Sequence, residues 1–303
     1  MKVLLTGATG YVGSAVADVL AEAEHEVLCL ARSGASAERL RKRGFATATG
    51  DISEVGAVRD AARGCRAVVH AAASDGEDPG ADDRAFLEGV FEALGGTGAV
   101  LIYTSGGWVM GDTDGALADE GHPLRPTTSL AWRPEVERLV LRSGAEAGLR
   151  PFVVRPALVY GNGGGVVGET VAFARERGYA RYVARPGEDA RWTLVHRRDV
   201  GRFYAAVIAA AADPDSPEGG IYILAGGPPV PAREVAVAAS RAAGAEGRVE
   251  PWPLEEARKE LGSYAEDLAL DQRLCGRKAA RDFGFEPESP YIFEHLKSGD
   301  HHG

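Results

Sequence analysis

The sequence predicts an α/β protein: a doubly wound parallel sheet with a smaller C-terminal α/β lobe beside it. Three observations predict this. The chain opens on an apolar run, Lys2-Val3-Leu4-Leu5, followed at once by a glycine-rich turn, Thr6 to Gly13, and an amphipathic segment from Ser14 to Ala23. Apolar runs then alternate with helix patterns up to Pro156, and unbroken apolar strands between helices mark a parallel sheet covered on both faces. Past Pro156 the pattern loosens into shorter strands and an alanine-rich helix, which sets off the lobe.

In chain order, Val12, Val16, Val19 and Ala23 recur at helical spacing and define the first helix. Strands follow at Glu26 to Ala31, Ala46 to Thr49, Ala67 to Ala71, Val100 to Thr104 and Phe152 to Arg155. Helices are expected near Val55 to Ala62, Arg84 to Leu94 and Glu135 to Ala147, and the acidic stretch Asp75 to Asp83 reads as a polar, mobile loop. Beyond it come a glycine loop at Tyr160 to Gly165, a helix from Val167 to Arg177, one strand from Trp192 to His196, a helix from Asp199 to Ala212, a strand from Ile221 to Leu224 and a helix from Ala232 to Ala243. The expected division is residues 1–160 as the dinucleotide-binding domain, with 192–212 returning to it. Residues 161–191 and 213–297 form the lobe and 298–303 a frayed tail, whose histidines read as solvated.

The glycine turn carries the chemistry. Gly7, Gly10 and Gly13 are spaced GxxGxxG between a strand and a helix. Glycines let the backbone turn tightly and approach a pyrophosphate, and the helix N-terminus offers unpaired N–H groups and the positive end of its dipole. A tight turn alone would also explain such glycines, but their place between a strand and a helix favours a Rossmann-like dinucleotide site. An acid about 20 residues past the glycines would hold the ribose 2′-hydroxyl of NAD, whereas an arginine suits the 2′-phosphate of NADP. Arg32 and Ser33 end the second strand, so NADP is expected over NAD. Arg39, Arg41, Lys42 and Arg43 behind them read as a solvated helix face. The candidate cofactor residues are thus Gly7, Thr9, Gly10, Tyr11, Val12, Gly13, Arg32 and Ser33.

Bulk properties narrow the partners. The 303 residues are 45% hydrophobic and 26% charged, ordinary for a soluble globule, and the net charge of −10 with no long basic run argues against nucleic acid or an anionic membrane. No apolar run approaches the roughly 18 residues of a membrane span. A strand starting at residue 2 leaves no room for a signal peptide, and the three well-separated cysteines, Cys29, Cys65 and Cys275, show no metal-ligand spacing. A cytoplasmic protein with reduced cysteines and no metal is expected.

Several stretches in order carry a family resemblance: Thr6 to Gly13; Gly50-Asp51-Ile52; His70 to Ala73; Tyr103-Thr104-Ser105; Val154-Arg155-Pro156 with Leu158 to Gly161; Leu194-Val195-His196 with Asp199-Val200; and Gly284-Phe285-Glu286-Pro287. Together they resemble an extended short-chain dehydrogenase/reductase of the NAD(P)-dependent epimerase/dehydratase superfamily. The resemblance implies that Asp51 and Ile52 flank the adenine and that Ala71, Ala72 and Ala73 line the cofactor. It implies that Ser105 sits beside the nicotinamide, with Pro156, Ala157 and Leu158 near its amide. It also implies a homodimer packed through two helices, one of them Glu135 to Ala147. Asp51 also fits a turn residue that simply ends a strand.

The chain departs from the family at its catalytic pair. A Tyr with a Lys four residues later is replaced by Ser129-Leu130-Ala131-Trp132-Arg133, and no tyrosine in the chain has a lysine four residues on. Arg133 keeps a charge and donors for ribose hydroxyls, but it does not exchange a proton near neutral pH. Ser129 is a ring shorter than Tyr and a poor acid without an adjacent base. Pro134 suits a helix start and biases Arg133 away from helical geometry, so Ser129 and Arg133 need not share a face.

Ser105, Ser129, Arg133, Tyr160 and His196 are therefore the catalytic candidates. Tyr160 closes a strand-end loop and His196 titrates in a useful range, though each also fits a packed residue. Tyr103 reads as core, Trp108, Met110 and Asp112 as pocket or loop, and Asp119-Glu120 as a solvated turn. Three functions stay open: an NADP(H)-dependent oxidoreductase with a rearranged proton relay; a nucleotide-binding isomerase, cyclase or dehydratase; and a non-catalytic cofactor sensor. With no evident arginine clamp beyond Arg133 and Arg197-Arg198, a small neutral or carbonyl substrate is expected over a nucleotide-sugar.

Overall fold

The computed structural model describes residues 1–74, 76–185, 187 and 190–298. Its first half alternates strands and helices: β1 (Lys2–Thr6), α1 (Tyr11–Glu22), β2 (Glu26–Ala31), α2 (Gly34–Lys42), β3 (Ala46–Thr49), α3 (Val55–Ala62), β4 (Ala67–His70), α4 (Pro79–Leu94), β5 (Val100–Thr104), α5 (Arg133–Glu146) and β6 (Arg150–Pro156). The second half comprises β7 (Leu158–Tyr160), α6 (Gly165–Arg177), β8 (Ala180–Ala184), β9 (Arg191–Trp192), β10 (Leu194–His196), α7 (Arg197–Ala210), β11 (Gly220–Leu224), β12 (Val230–Pro231), α8 (Ala232–Ala242), β13 (Val249–Pro253), α9 (Leu254–Leu261), α10 (Tyr264–Leu268), α11 (Arg277–Phe283) and α12 (Ile292–Ser298).

The main sheet has seven strands in the order β11-β6-β5-β4-β1-β2-β3, and all its pairs are parallel. The chain runs outward from β1 to β3, then returns to start β4 on the other side of β1. The order therefore reverses between β1 and β4, where a doubly wound sheet opens a crevice at its carboxyl ends. One apolar layer packs Val16, Leu20, Phe203 and Tyr204 on one face of the sheet, joining α1 and α7. A second packs Val58, Phe86, Val90, Val136 and Val140 on the other, from α3, α4 and α5.

Four sequence expectations need correction. Gly220–Leu224 is not part of the lobe: it pairs with β6 as the edge strand of the main sheet, with Tyr222, Ile223 and Leu224 buried. Its exposed edge is covered in part by Glu120, whose Oε1 accepts from the Ile223 N–H at 2.9 Å, so Glu120 is not simply a solvated turn residue. The stretch through Asp83 is not all loop, because α4 starts at Pro79; Asp78 caps it by accepting from the Ala81 N–H at 2.9 Å. The Asx-then-proline pattern was the available signal. Finally, Trp192 to His196 is not one strand. Thr193 turns aside to bond the 272–274 segment through its own N–H and Oγ1, so β9 pairs with β12 and β10 with β7.

The lobe is built from β8 paired with β13, and from α6 and α8 packed through Val166, Val171, Val235 and Ala239. Of the expected tail, Ser298 ends α12 and residues 299–303 lie outside the described residues. Among the described residues no helix is long and apolar enough to cross a membrane.

Candidate active site

The glycine turn joins β1 to α1 beside the end of β4. Gly7 has φ +74°, and a Cβ there would lie 2.3 Å from the Ala71 carbonyl oxygen. A Cβ on Gly13 would lie 2.1 Å from the Gly7 oxygen. Gly10 differs: it is exposed and extended, and a Cβ would meet only the Gly7 oxygen, at 3.1 Å. Gly7 and Gly13 hold the turn closed, and Gly10 presents open backbone outward. Helix α1 starts here with no side-chain cap and no acid in its first turn, so its leading N–H groups and dipole face a space suited to an anion. Thr9 is exposed. The Tyr11 hydroxyl donates to the Gly161 carbonyl at 2.8 Å, fixing the loop after β7 against the turn.

The residues expected at the nucleotide's far end stand around the same edge. Arg32 and Ser33 are exposed at the end of β2, and Ser33 caps α2 by accepting from the Ser36 N–H at 3.2 Å. Asp51 follows β3 and accepts from the Ser53 N–H and hydroxyl at 3.0 and 2.8 Å, with Ile52 packed beside the α3–α4 layer. Ala71, Ala72 and Ala73 follow β4, where the Ala72 N–H donates to Thr6 Oγ1 at 3.3 Å.

A cavity of about 310 Å³ continues this edge and is lined by Val12, Ser105, Trp108, Leu130, Arg133 and the Pro156-Ala157-Leu158 run, among others. The Ser105 hydroxyl donates to Glu137 Oε1. Glu137 is held in turn by Arg155, whose Nε and Nη2 reach its two oxygens at 3.1 and 2.5 Å, and both side chains are 2% exposed. Sequence reasoning placed Arg155 at the end of a strand and Glu135 to Ala147 on a helix, and missed this buried ion pair between them. A carboxylate four positions into a helix and an arginine inside an apolar strand were the signal for it.

Arg133 begins α5. Its Nη1 donates to the Thr104 carbonyl at 3.2 Å and to the Tyr103 hydroxyl at 3.4 Å, and the guanidinium lies over the Trp132 ring at 4.5 Å. Tyr103 is core, as expected, but it also ends a polar chain the sequence did not reveal. Its hydroxyl reaches Asp83 Oδ2, Asp83 Oδ1 meets His70 Nε2 at 3.0 Å, and His70 Nδ1 meets Thr6 Oγ1 at 2.8 Å. All four side chains are buried.

Three catalytic candidates lie outside the cavity. Ser129 sits on a 3₁₀ turn, Thr128–Leu130, apart from α5, and its hydroxyl donates to Asp267 Oδ2 at 3.0 Å while Thr127 donates to the other oxygen. The pair fastens the lobe helix α10 to the main domain; burial pushes the Asp267 carboxyl above the usual carboxylate range, and the two hydroxyls offset only part of that. Tyr160 is buried, its hydroxyl donates to the Pro290 carbonyl at 2.7 Å, and burial pushes the phenol far up. His196 caps α7, its Nδ1 accepting from the Arg198 N–H at 3.3 Å. It lines a different cleft, between α1 and α7, with Arg197 and Arg198. Burial, then neighbouring His295, pulls its pKa down to about 4. Arg197 and Arg198 are likewise no clamp on the cavity: Arg197 packs over Tyr11 at 4.9 Å and Arg198 pairs with Glu22. Trp108 lines the cavity, Met110 is core and Asp112 pairs with Arg185.

A parallel sheet with a glycine turn at its switch point and a cavity farther along the same carboxyl edge defines the class: an α/β protein of the dinucleotide-binding kind. The chain belongs to the NAD dependent epimerase/dehydratase family, which it matches over residues 3–225. A 2-alkyl-3-oxoalkanoate reductase from Stenotrophomonas maltophilia is 27% identical, over 95% of each protein. An uncharacterized protein of Schizosaccharomyces pombe is 26% identical over 98% of this chain and 99% of its own length. Among solved structures, the UDP-glucose 4-epimerase of Thermus thermophilus in complex with NAD superposes with a TM-score of 0.76 at 26% identity, covering 99% of this chain and 98% of that one. The chain is thus a member of a family of epimerases, dehydratases and reductases with an extended short-chain dehydrogenase/reductase fold.

Proposed function

We propose that the chain is an NADP(H)-dependent oxidoreductase acting on a small carbonyl or hydroxyl compound with a non-standard proton relay. The observation that carries this reading is the continuity of the uncapped α1 turn with the cavity holding Ser105 and Arg133. The residues present fit a dinucleotide. Gly10 offers open backbone, α1 offers uncapped N–H groups, and Arg32 with Ser33 stands where a 2′-phosphate would end. Arg133, anchored on Thr104 and Tyr103, is positioned to bind ribose hydroxyls or the substrate oxygen.

When bound, the nicotinamide supplies or accepts a hydride; the protein's part is binding, orientation and electrostatics. Arg133 stabilises negative charge on the substrate oxygen without giving up its proton. The Ser105 hydroxyl hydrogen is committed to Glu137, so Ser105 offers the cavity its lone pairs, and the proton for the substrate oxygen comes from water. Such a site acts on substrates whose oxygen needs little acid assistance.

A second reading, a cofactor sensor without catalysis, is favoured by one observation. Among the described residues lining the cavity there is no Tyr, His, Lys, Asp or Glu. One experiment separates the two: titrate the protein with NADPH and with NADH, then add a panel of ketones, aldehydes and enones and follow the reduced-nicotinamide absorbance. Binding with substrate-dependent loss of absorbance supports the reductase. Binding with no loss across the panel favours the second reading, and no binding of either nucleotide removes both.

A further inference from the structure

A second cavity lies in the lobe, with a volume of about 150 Å³. Its walls are Phe173 on α6, Trp192 on β9, Trp252 on β13, and Tyr264 and Leu268 on α10. It stands next to the Arg133 cavity. Trp108, which lines that cavity, meets the Tyr264 ring edge-on at 5.8 Å between centroids. Trp108 and Leu158 on one side and Tyr264 and Leu268 on the other pack on a single apolar cluster. The Asp267 bonds to Thr127 and Ser129 hold α10 in that position.

The charge in this pocket is already spent. Arg181, its cation, lies over the Trp252 ring at 3.3 Å and the Phe173 ring at 4.5 Å, and its Nη2 pairs with Glu260 at 3.2 Å. The other charged wall residue, Glu169, is acidic and repels phosphate. A diphosphate would find no uncommitted cation here. The pocket is mostly apolar, and its volume of about 150 Å³ is enough to hold a benzene ring.

We infer that the lobe pocket is a binding subsite for an uncharged six-membered aryl group of the substrate, whose oxygen lies past Trp108 near Arg133. The assignment of the reacting end rests on the function proposed above; the aryl site itself does not. Aromatic walls favour such a ring through offset or edge-on packing, and burying it removes apolar surface from water.

The test is to measure binding of acetophenone, 2-butanone and UMP by calorimetry, without nucleotide, to the wild type and to Leu268→Trp and Leu261→Trp. Leu261 on α9 also lines the pocket, so both substitutions fill it from partly exposed positions, and NADPH affinity and melting temperature check that each variant is folded. Acetophenone should bind at least tenfold more tightly than 2-butanone, and a folded filled variant should lose that advantage. Equal affinities, an advantage that survives filling, or UMP binding that filling abolishes would overturn the inference. If NADPH fails to bind the wild type while the filling-sensitive preference for acetophenone persists, the proposed function falls and the aryl site stands.

Discussion

The Tyr103 hydroxyl donates to Asp83 Oδ2 across 2.5 Å, joining the end of β5 to the first turns of α4 inside the protein. Burial works to raise the Asp83 carboxyl, but His70, Tyr103 and Arg133 outweigh it and hold the group below the usual carboxylate range. Tyr103 also receives Arg133, so one buried phenol links a structural carboxylate to the cation of the cavity. Tyr103→Phe should cost about 1–3 kcal/mol of stability by leaving Asp83 short of a donor. Nucleotide affinity should fall only modestly, because Arg133 keeps the Thr104 carbonyl. Urea unfolding checks the first part, and an unchanged midpoint would deny the bond.

The glycines of the first turn should separate into two kinds. Gly13→Ala forces a Cβ to within 2.1 Å of the Gly7 oxygen, so it should cost about 1–3 kcal/mol through a backbone shift. Gly10 has φ −84° and ψ 176°, which any residue adopts, so Gly10→Val should melt close to the wild type yet lose nucleotide binding. Thermal melting paired with NADPH titration decides the matter. A Gly10→Val protein with full affinity would show that the turn is not a phosphate cradle.

Arg32 tests the choice of nucleotide. It is exposed at the end of β2, where a 2′-phosphate would gain a charge-assisted bond. Arg32→Asp should weaken NADPH binding by roughly tenfold or more while changing NADH binding far less. Equal losses for the two nucleotides would remove the 2′-phosphate assignment.

Local patterns made the sheet legible from the sequence. The apolar runs at Val3 to Leu5, Val68 and Val69, and Leu101 to Tyr103 are buried strands because both faces of a parallel sheet are covered. The glycine spacing likewise predicts the turn that Gly7 and Gly13 close. What escaped was long-range. Ile221 to Leu224 reads as a strand, but nothing local says that it pairs with β6 instead of joining the lobe. Ser129 takes the missing tyrosine's place in sequence, yet its partner, Asp267, lies far along the chain and decides its role. Tyr160 and His196 carry the right chemistry for an acid, and only the three-dimensional packing reveals that Pro290 and Arg198 occupy them.

His196 should therefore govern acid stability and not turnover. Its folded pKa, about 4, is depressed from 6.5 by burial and by His295. As pH falls below 6.5 the unfolded chain takes up a proton that the folded chain refuses until pH approaches 4. The unfolded state binds more protons across that window, so stability falls as pH is lowered through it and is fully present above it. Asparagine can still cap α7 but does not titrate, so His196→Asn should lose less stability between about pH 7 and pH 5 than the wild type does. Urea midpoints at the two pH values measure this, and an identical loss in both proteins would assign the acid sensitivity elsewhere. Because His196 lies in the cleft between α1 and α7, outside the Arg133 cavity, turnover at neutral pH should stay within about twofold of the wild type; a drop of roughly a hundredfold, in the range that general acid–base catalysis contributes, would return His196 to the catalytic set.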